Sequence, residues 1–90
     1  MIQLRIIVSG KVQGVGYRYF SQMKAVQYGV KGWVKNLADG SVEVIARGEN
    51  NQLEPFIADL RKGNPFSKIN NLEITEMDQL EHFHSFTIKY

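Results

Sequence analysis

Apolar and polar residues alternate at the start of the chain: Ile2, Leu4, Ile6 and Val8 fall on one side, Gln3, Arg5, Ile7 and Ser9 on the other. A period of two puts successive side chains on opposite faces, so residues 2–9 read as a half-buried strand. After a glycine-bearing stretch, 10–16, the period lengthens. Tyr17, Phe20, Ser21, Ala25 and Tyr28 share one face of a 3.6-residue helix, and the small Ser21 and Ala25 would let it lie close to a sheet. Gly29 is a natural stop for that helix. Residues 30–36 read as a second strand, and Val42, Val44 and Ala46, alternating with Glu43, Ile45 and Arg47, as a third. The Asp39-Gly40 pair between them is a tight-turn signal and predicts an antiparallel hairpin.

Leu53, Phe56, Ile57 and Leu60 have i, i+3, i+4, i+7 spacing and predict a second helix. Asn50 or Asn51 is its expected cap, Arg61 and Lys62 suit its negative end, and Gly63 and Pro65 would end it. Pro55 is then expected near the first turn, where a missing N–H costs least. Strands are expected within 69–77 (Leu72, Ile74) and at Phe86, Ile88 and Tyr90, with residues 78–84 as a turn. The order β-α-β-β-α-β plus a short C-terminal strand predicts an α+β fold. It is a ferredoxin-like α/β sandwich, an antiparallel sheet with two helices on one face. Ninety residues make one domain, 1–90. That architecture carries binding modules and enzymes alike, so function has to be read from particular residues.

Composition narrows the choice modestly. The chain is 43% hydrophobic and 22% charged, an ordinary globular balance. Lys and Arg number 11 against 9 Asp and Glu, a net charge of +2 without basic blocks. This does not indicate a nucleic-acid partner, but it suits a small anion. The absence of cysteine excludes disulfides, thiolate metal sites and cysteine nucleophiles. With no apolar run for a signal peptide or a membrane span, a soluble cytoplasmic protein is expected, and a monomer is the simplest state.

Candidate chemistry starts at Gly14-Val15-Gly16-Tyr17-Arg18, between the first strand and the first helix. N–H groups at a helix N-terminus lack internal partners and carry partial positive charge, and glycines let the loop curl so that several of them meet one anion. Arg18 in the first turn faces the positive end of the helix dipole, an unfavourable placement that a bound anion would reverse. Its planar guanidinium suits a phosphate. The segment lacks the Gly-Lys-Ser/Thr ending of a P-loop and the third glycine of a dinucleotide fingerprint. Asn36, at the end of the second strand, could close an Asx-turn or orient a water beside a bound phosphate. His82 and His84 flank Phe83 and read as structural or surface residues. No compact carboxylate cluster is present, and no metal or cofactor is expected.

Two long segments then carry a family resemblance. Val8-Ser9-Gly10-Lys11-Val12-Gln13-Gly14-Val15-Gly16-Tyr17-Arg18 resembles the first acylphosphatase signature. Gly32-Trp33-Val34-Lys35-Asn36-Leu37-Ala38-Asp39-Gly40-Ser41-Val42-Glu43, followed by Gly48, resembles the second, and Phe86-Thr87-Ile88-Lys89-Tyr90 resembles the family's ending. The resemblance covers essentially the whole chain. Tyr17 stands where phenylalanine is commoner. The resemblance implies a metal-independent hydrolase of small acyl phosphates. It also implies that Arg18 binds the substrate phosphate, that the amides of Gly14, Val15, Gly16, Tyr17 and Arg18 form an anion cradle, and that Asn36 positions the attacking water. Two other readings compete. Lys31-Gly32-Trp33-Val34 is similar to a strand motif of RNA-binding modules, but it lies on strand two, and strand three has no aromatic residue. A non-catalytic, accessory form of the same domain is the other.

Overall fold

The computed structural model describes residues 1–79 and 81–90. In chain order the elements are β1 (Ile2–Lys11), α1 (Tyr17–Tyr28), β2 (Lys31–Asn36), β3 (Val42–Gly48), α2 (Asn50–Lys62), β4 (Lys68–Glu76) and β5 (Phe86–Ile88). The strands form one sheet in the order β4-β1-β3-β2-β5. The first four pair antiparallel, as the alternation and the Asp-Gly turn predict. Ile6 pairs with Val44 and Val8 with Val42, so the inward rows of β1 and β3 meet in the core. Leu53, Phe56 and Leu60 of α2 and Ser21 and Ala25 of α1 close over that face. Gly32 of β2 is there for lack of space, since a Cβ at its φ of 140° would overlap the carbonyl of Ile45 on β3.

Three expectations need correction. The sheet is mixed, because β5 runs parallel to β2, with Gly32, Trp33 and Val34 opposite Phe86, Thr87 and Ile88. The reason lies in the path of the chain after β4. It passes under Gln3 and Arg47: the Gln3 amide donates to Glu81 Oε1 at 3.3 Å, Gln3 Oε1 accepts the Glu81 N–H at 2.7 Å, and Arg47 donates to the Glu81 carbonyl. Gln3 is thereby fully buried although its strand position is an outward one. The chain arrives at the starting end of β2, where Ser85 accepts the Gly32 N–H at 3.1 Å, and has to run alongside β2 from there.

The cap of α2 is Glu49 rather than Asn50 or Asn51. Glu49 and Gln52 form a capping box in which the Glu49 N–H donates to Gln52 Oε1 at 2.8 Å, and the asparagines already lie inside the helix. Pro55 consequently sits in the second turn. The N–H it lacks would have served the carbonyl of Asn51, an exposed residue that solvent reaches. Residues 78–84, expected as a turn, hold no helix or strand among the described residues, and Leu80 lies outside them. No helix among the described residues is long and apolar enough to cross a membrane.

Candidate active site

The loop between β1 and α1 is fixed from two sides by side chains. Gln13 Nε2 donates to the carbonyls of Leu37 and Ser41 at 2.8 and 2.9 Å, tying the loop to the β2–β3 hairpin. Asn64, between α2 and β4, donates from Nδ2 to the Val15 carbonyl at 2.8 Å. Asn64 is itself held by Ser67, whose hydroxyl accepts the Asn64 N–H at 3.0 Å. Between these clamps Gly14 (φ 73°) and Gly16 (φ 75°) take left-handed conformations that a side chain would strain. Gly16 caps α1 without any side-chain bond. Among the described residues, the amides of Gly14 to Arg18 donate to no protein acceptor. The loop therefore presents bare donors at the positive end of a helix.

Arg18 leaves the first turn of α1 toward the C-terminus. Its Nη1 donates to the Lys89 carbonyl at 3.3 Å, and the guanidinium carbon lies 4.8 Å from the centre of the Tyr90 ring. It takes part in no ion pair among the described residues. Its charge is oriented by a carbonyl and an aromatic face and is not neutralised.

Asn36 ends β2, paired with Val42. Its Oδ1 is buried and has no hydrogen-bond partner among the described residues. The Asx-turn explanation for this asparagine is thereby removed. Asp39 does that work, its Oδ1 accepting the Ser41 N–H at 2.9 Å and the Ser41 hydroxyl, which holds the Asp39 carboxyl below its ordinary pKa. One cavity of about 170 Å³ joins Gly14, Gly16, Arg18 and Asn36, with Val12 and Tyr17 at its base and Tyr19, Ile88 and Tyr90 around it. A bare-amide loop, an unneutralised guanidinium and the asparagine that ends β2 thus line one small cavity.

The acylphosphatase family model matches residues 4–88. The chain belongs to the acylphosphatase family. It is 50% identical over 90 residues to the curated acylphosphatase of Bacillus subtilis, covering 100% of this chain and 99% of that one. The crystal structure of acylphosphatase from Bacillus subtilis superposes with a TM-score of 0.96 at 50% identity over 100% of both chains. The structure of an acylphosphatase from Coxiella burnetii superposes with a TM-score of 0.92 at 34% identity, covering 98% of this chain and 92% of that one.

Of the residues that the sequence marks in this acylphosphatase-family chain, Gly14, Gly16, Tyr17, Arg18 and Asn36 line the cavity and Val15 does not. Val15 has its carbonyl turned to Asn64, and what it can offer an anion is its amide. The ring of Tyr17 is buried and its hydroxyl donates to the Leu60 carbonyl at 2.9 Å, so burial pushes the phenol above its usual pKa range. Tyr17, too, has only a backbone amide to contribute. Trp33 lies outside the cavity, with the ammonium groups of Lys35 and Lys89 at 5.3 and 4.4 Å from its ring centre. His82 and His84 stack edge to face at 5.0 Å, and no group of three His, Cys, Asp or Glu is gathered as for a metal among the described residues. Gln13 and Asn64 went unnoticed in the sequence. Gln13 lies inside the first signature and could have been asked for its partner, whereas nothing local marks Asn64.

Proposed function

We propose that the chain hydrolyses the carboxyl–phosphate anhydride of acyl phosphates, with Arg18 and the Gly14 to Arg18 amides holding the phosphoryl group and Asn36 orienting the water. It is a hydrolase of this family, and the residue roles are the proposal. One juxtaposition carries it: Asn36, whose buried Oδ1 has no partner among the described residues, lines one cavity of about 170 Å³ with Arg18 and the bare loop.

The chemistry needs little more. Water oxygen bonds to phosphorus as the bond from phosphorus to the acyl oxygen breaks, and the bonding pair leaves on a carboxylate. The conjugate acid of that leaving group has a pKa of about 4 to 5, so it departs without a general acid. Phosphoryl transfer then rests on positioning and on stabilising charge at the phosphoryl oxygens. Arg18 offers a bidentate fork, the loop amides offer fixed dipoles, and the Asn36 carboxamide orients the attacking water. A carboxamide is no base, so the water's proton passes to a phosphoryl oxygen of the substrate. The products are a carboxylate and inorganic phosphate. In this reading residues 1–90 act as one domain, as a cytoplasmic monomer, without nucleic acid, metal or other cofactor. The lack of cysteine and of basic blocks supports that setting.

The test is benzoyl phosphate hydrolysis with excess chelator by the wild type and Arg18→Ala, each checked for folding by circular dichroism. Expected is turnover by the wild type and a loss of roughly a hundredfold or more in the variant, the scale of removing one charge-stabilising donor. A folded wild type that does not turn over would sink the reading, as would a fully active Arg18→Ala.

A further inference from the structure

The groups assigned to the phosphate fill only part of the cavity wall. Tyr19, Ile88 and Tyr90 form the rest. That side suits an inorganic anion poorly, since its rings and methyl groups offer a phosphate no charge and, the two phenol hydroxyls apart, no side-chain donor. Tyr19 follows Arg18 directly on α1 and is 62% exposed, while Tyr90 is fully exposed. Neither ring is packed into the core, whose aromatic members are Tyr17, Phe56 and Phe86. Two unburied aromatic rings thus stand beside a small set of converging polar groups, the common composition of a site for a small organic molecule. The substrate class has a matching division: one end is a phosphoryl group, the other an acyl group of variable size.

We propose that Tyr19, with Ile88 and the Tyr90 ring, forms an acyl subsite that favours aromatic and extended apolar acyl phosphates over acetyl phosphate. The proposal rests on the acyl phosphate reading above and deepens it. The phosphate contacts are common to every substrate of the class and cannot discriminate among them. Discrimination has to come from the wall that the acyl group meets. Tyr19 is the residue to test, because Tyr90 also touches the Arg18 guanidinium and its removal would disturb the phosphate side as well.

The measurement is kcat/KM for benzoyl phosphate and for acetyl phosphate, with inorganic phosphate as competitive inhibitor, in the wild type, Tyr19→Ala and Tyr19→Phe. The benzoyl to acetyl ratio should fall about fivefold in Tyr19→Ala, within the range one aromatic pair contributes. It should stay within about twofold in Tyr19→Phe, which keeps the ring. The phosphate inhibition constant reports the cradle separately and should follow Arg18 rather than Tyr19. An unchanged ratio in a folded Tyr19→Ala that still turns over both substrates overturns the acyl subsite and leaves the phosphate reading standing. A wild type that hydrolyses neither substrate overturns both.

Discussion

A buried carbonyl oxygen with no donor costs roughly 1 to 3 kcal/mol relative to a satisfied one. Asn36 carries such an oxygen at the end of an otherwise well-paired strand. A side chain kept at a cost to stability is a candidate for work elsewhere, and truncating it should separate the two roles. Asn36→Ala should melt at or above the wild-type temperature in a thermal scan, while kcat for benzoyl phosphate falls on the order of a hundredfold, as for loss of a positioning hydrogen bond at a reacting group. Its inhibition constant for inorganic phosphate should move by less than about threefold, because the charge-bearing contacts remain with Arg18 and the loop. Arg18→Lys should behave in the opposite way. A point charge cannot reproduce the planar fork, so phosphate inhibition weakens although the charge is kept. An Asn36→Ala enzyme that loses phosphate affinity as strongly as Arg18→Ala would place Asn36 on the phosphate and not on the water.

Between elements, a few side-chain ties decide how rigidly the loop is offered to its ligand. Asn64→Ala would release the Val15 carbonyl, a loss of about 1 kcal/mol in denaturant unfolding for one hydrogen bond. The same change should raise the inhibition constant for phosphate several-fold, because the amides on either side of Val15 would no longer be preorganised. A second tie joins the helices: the Tyr28 hydroxyl donates to Asp59 Oδ2 at 2.6 Å, and the Lys24 ammonium lies 3.4 Å from the same oxygen. The hydroxyl first and Lys24 after it hold the Asp59 carboxyl below its ordinary pKa, and the same bond raises that of Tyr28. The sign follows from linkage. A depressed carboxyl pKa gives stability that is present above the unfolded value near 4 and is lost as pH falls through the folded value. A raised phenol pKa gives stability that is present below about 10 and is lost as pH rises through the folded value. The stability gap between the wild type and Tyr28→Phe in urea titrations should therefore be widest near neutral pH and close toward both extremes. A gap that stays constant from pH 2 to pH 7 would assign it to packing and not to this bond.

These ties also mark where the sequence stops being readable. Period-two and period-3.6 patterns gave β1, α1, the hairpin and α2, because each element buries one face and the pattern records that face. Gln13 acts through hydrogen bonds to carbonyls 24 and 28 residues away and Asn64 through one to a carbonyl 49 residues away, and no local pattern encodes such partners. Gln3 fell on the polar side of its strand and is buried because a later segment crosses it. Glu49 was passed over as a cap because two asparagines, better N-cap residues by type, follow it directly. The candidate site was legible in its polar half, where Gly14, Gly16, Arg18 and Asn36 carry recognisable chemistry. Tyr19, Ile88 and Tyr90 were unmarked as wall residues, since only the folded sheet brings the C-terminus to α1.

At the scale of the whole molecule, the strand order is what assembles the cavity. The loop after β1 and the end of β2 lie at one pole of the sheet, with β3 between the two strands. The parallel β5 runs toward that same pole, where the Lys89 N–H donates to the Val34 carbonyl at 2.8 Å. The C-terminus is thereby delivered to Arg18. A ring that is fully exposed yet lies 4.8 Å from a guanidinium contributes almost nothing to folding and has one charged neighbour to influence. A cation over an aromatic face at an exposed site is worth about 0.5 to 1 kcal/mol, or roughly two- to fivefold in an equilibrium constant. If that contact holds the guanidinium ready for a phosphate, Tyr90→Ala should raise the inhibition constant of inorganic phosphate by this factor, and Tyr90→Phe, which keeps the ring, should not. Inorganic phosphate carries no acyl group, so the reading is independent of the subsite beside Tyr19. Thermal melting of both variants should stay within about 2 °C of the wild type, as expected when no buried surface is lost. An unchanged inhibition constant in Tyr90→Ala would mean that the Lys89 carbonyl alone sets the posture of Arg18, with the terminal ring left to face only the acyl group.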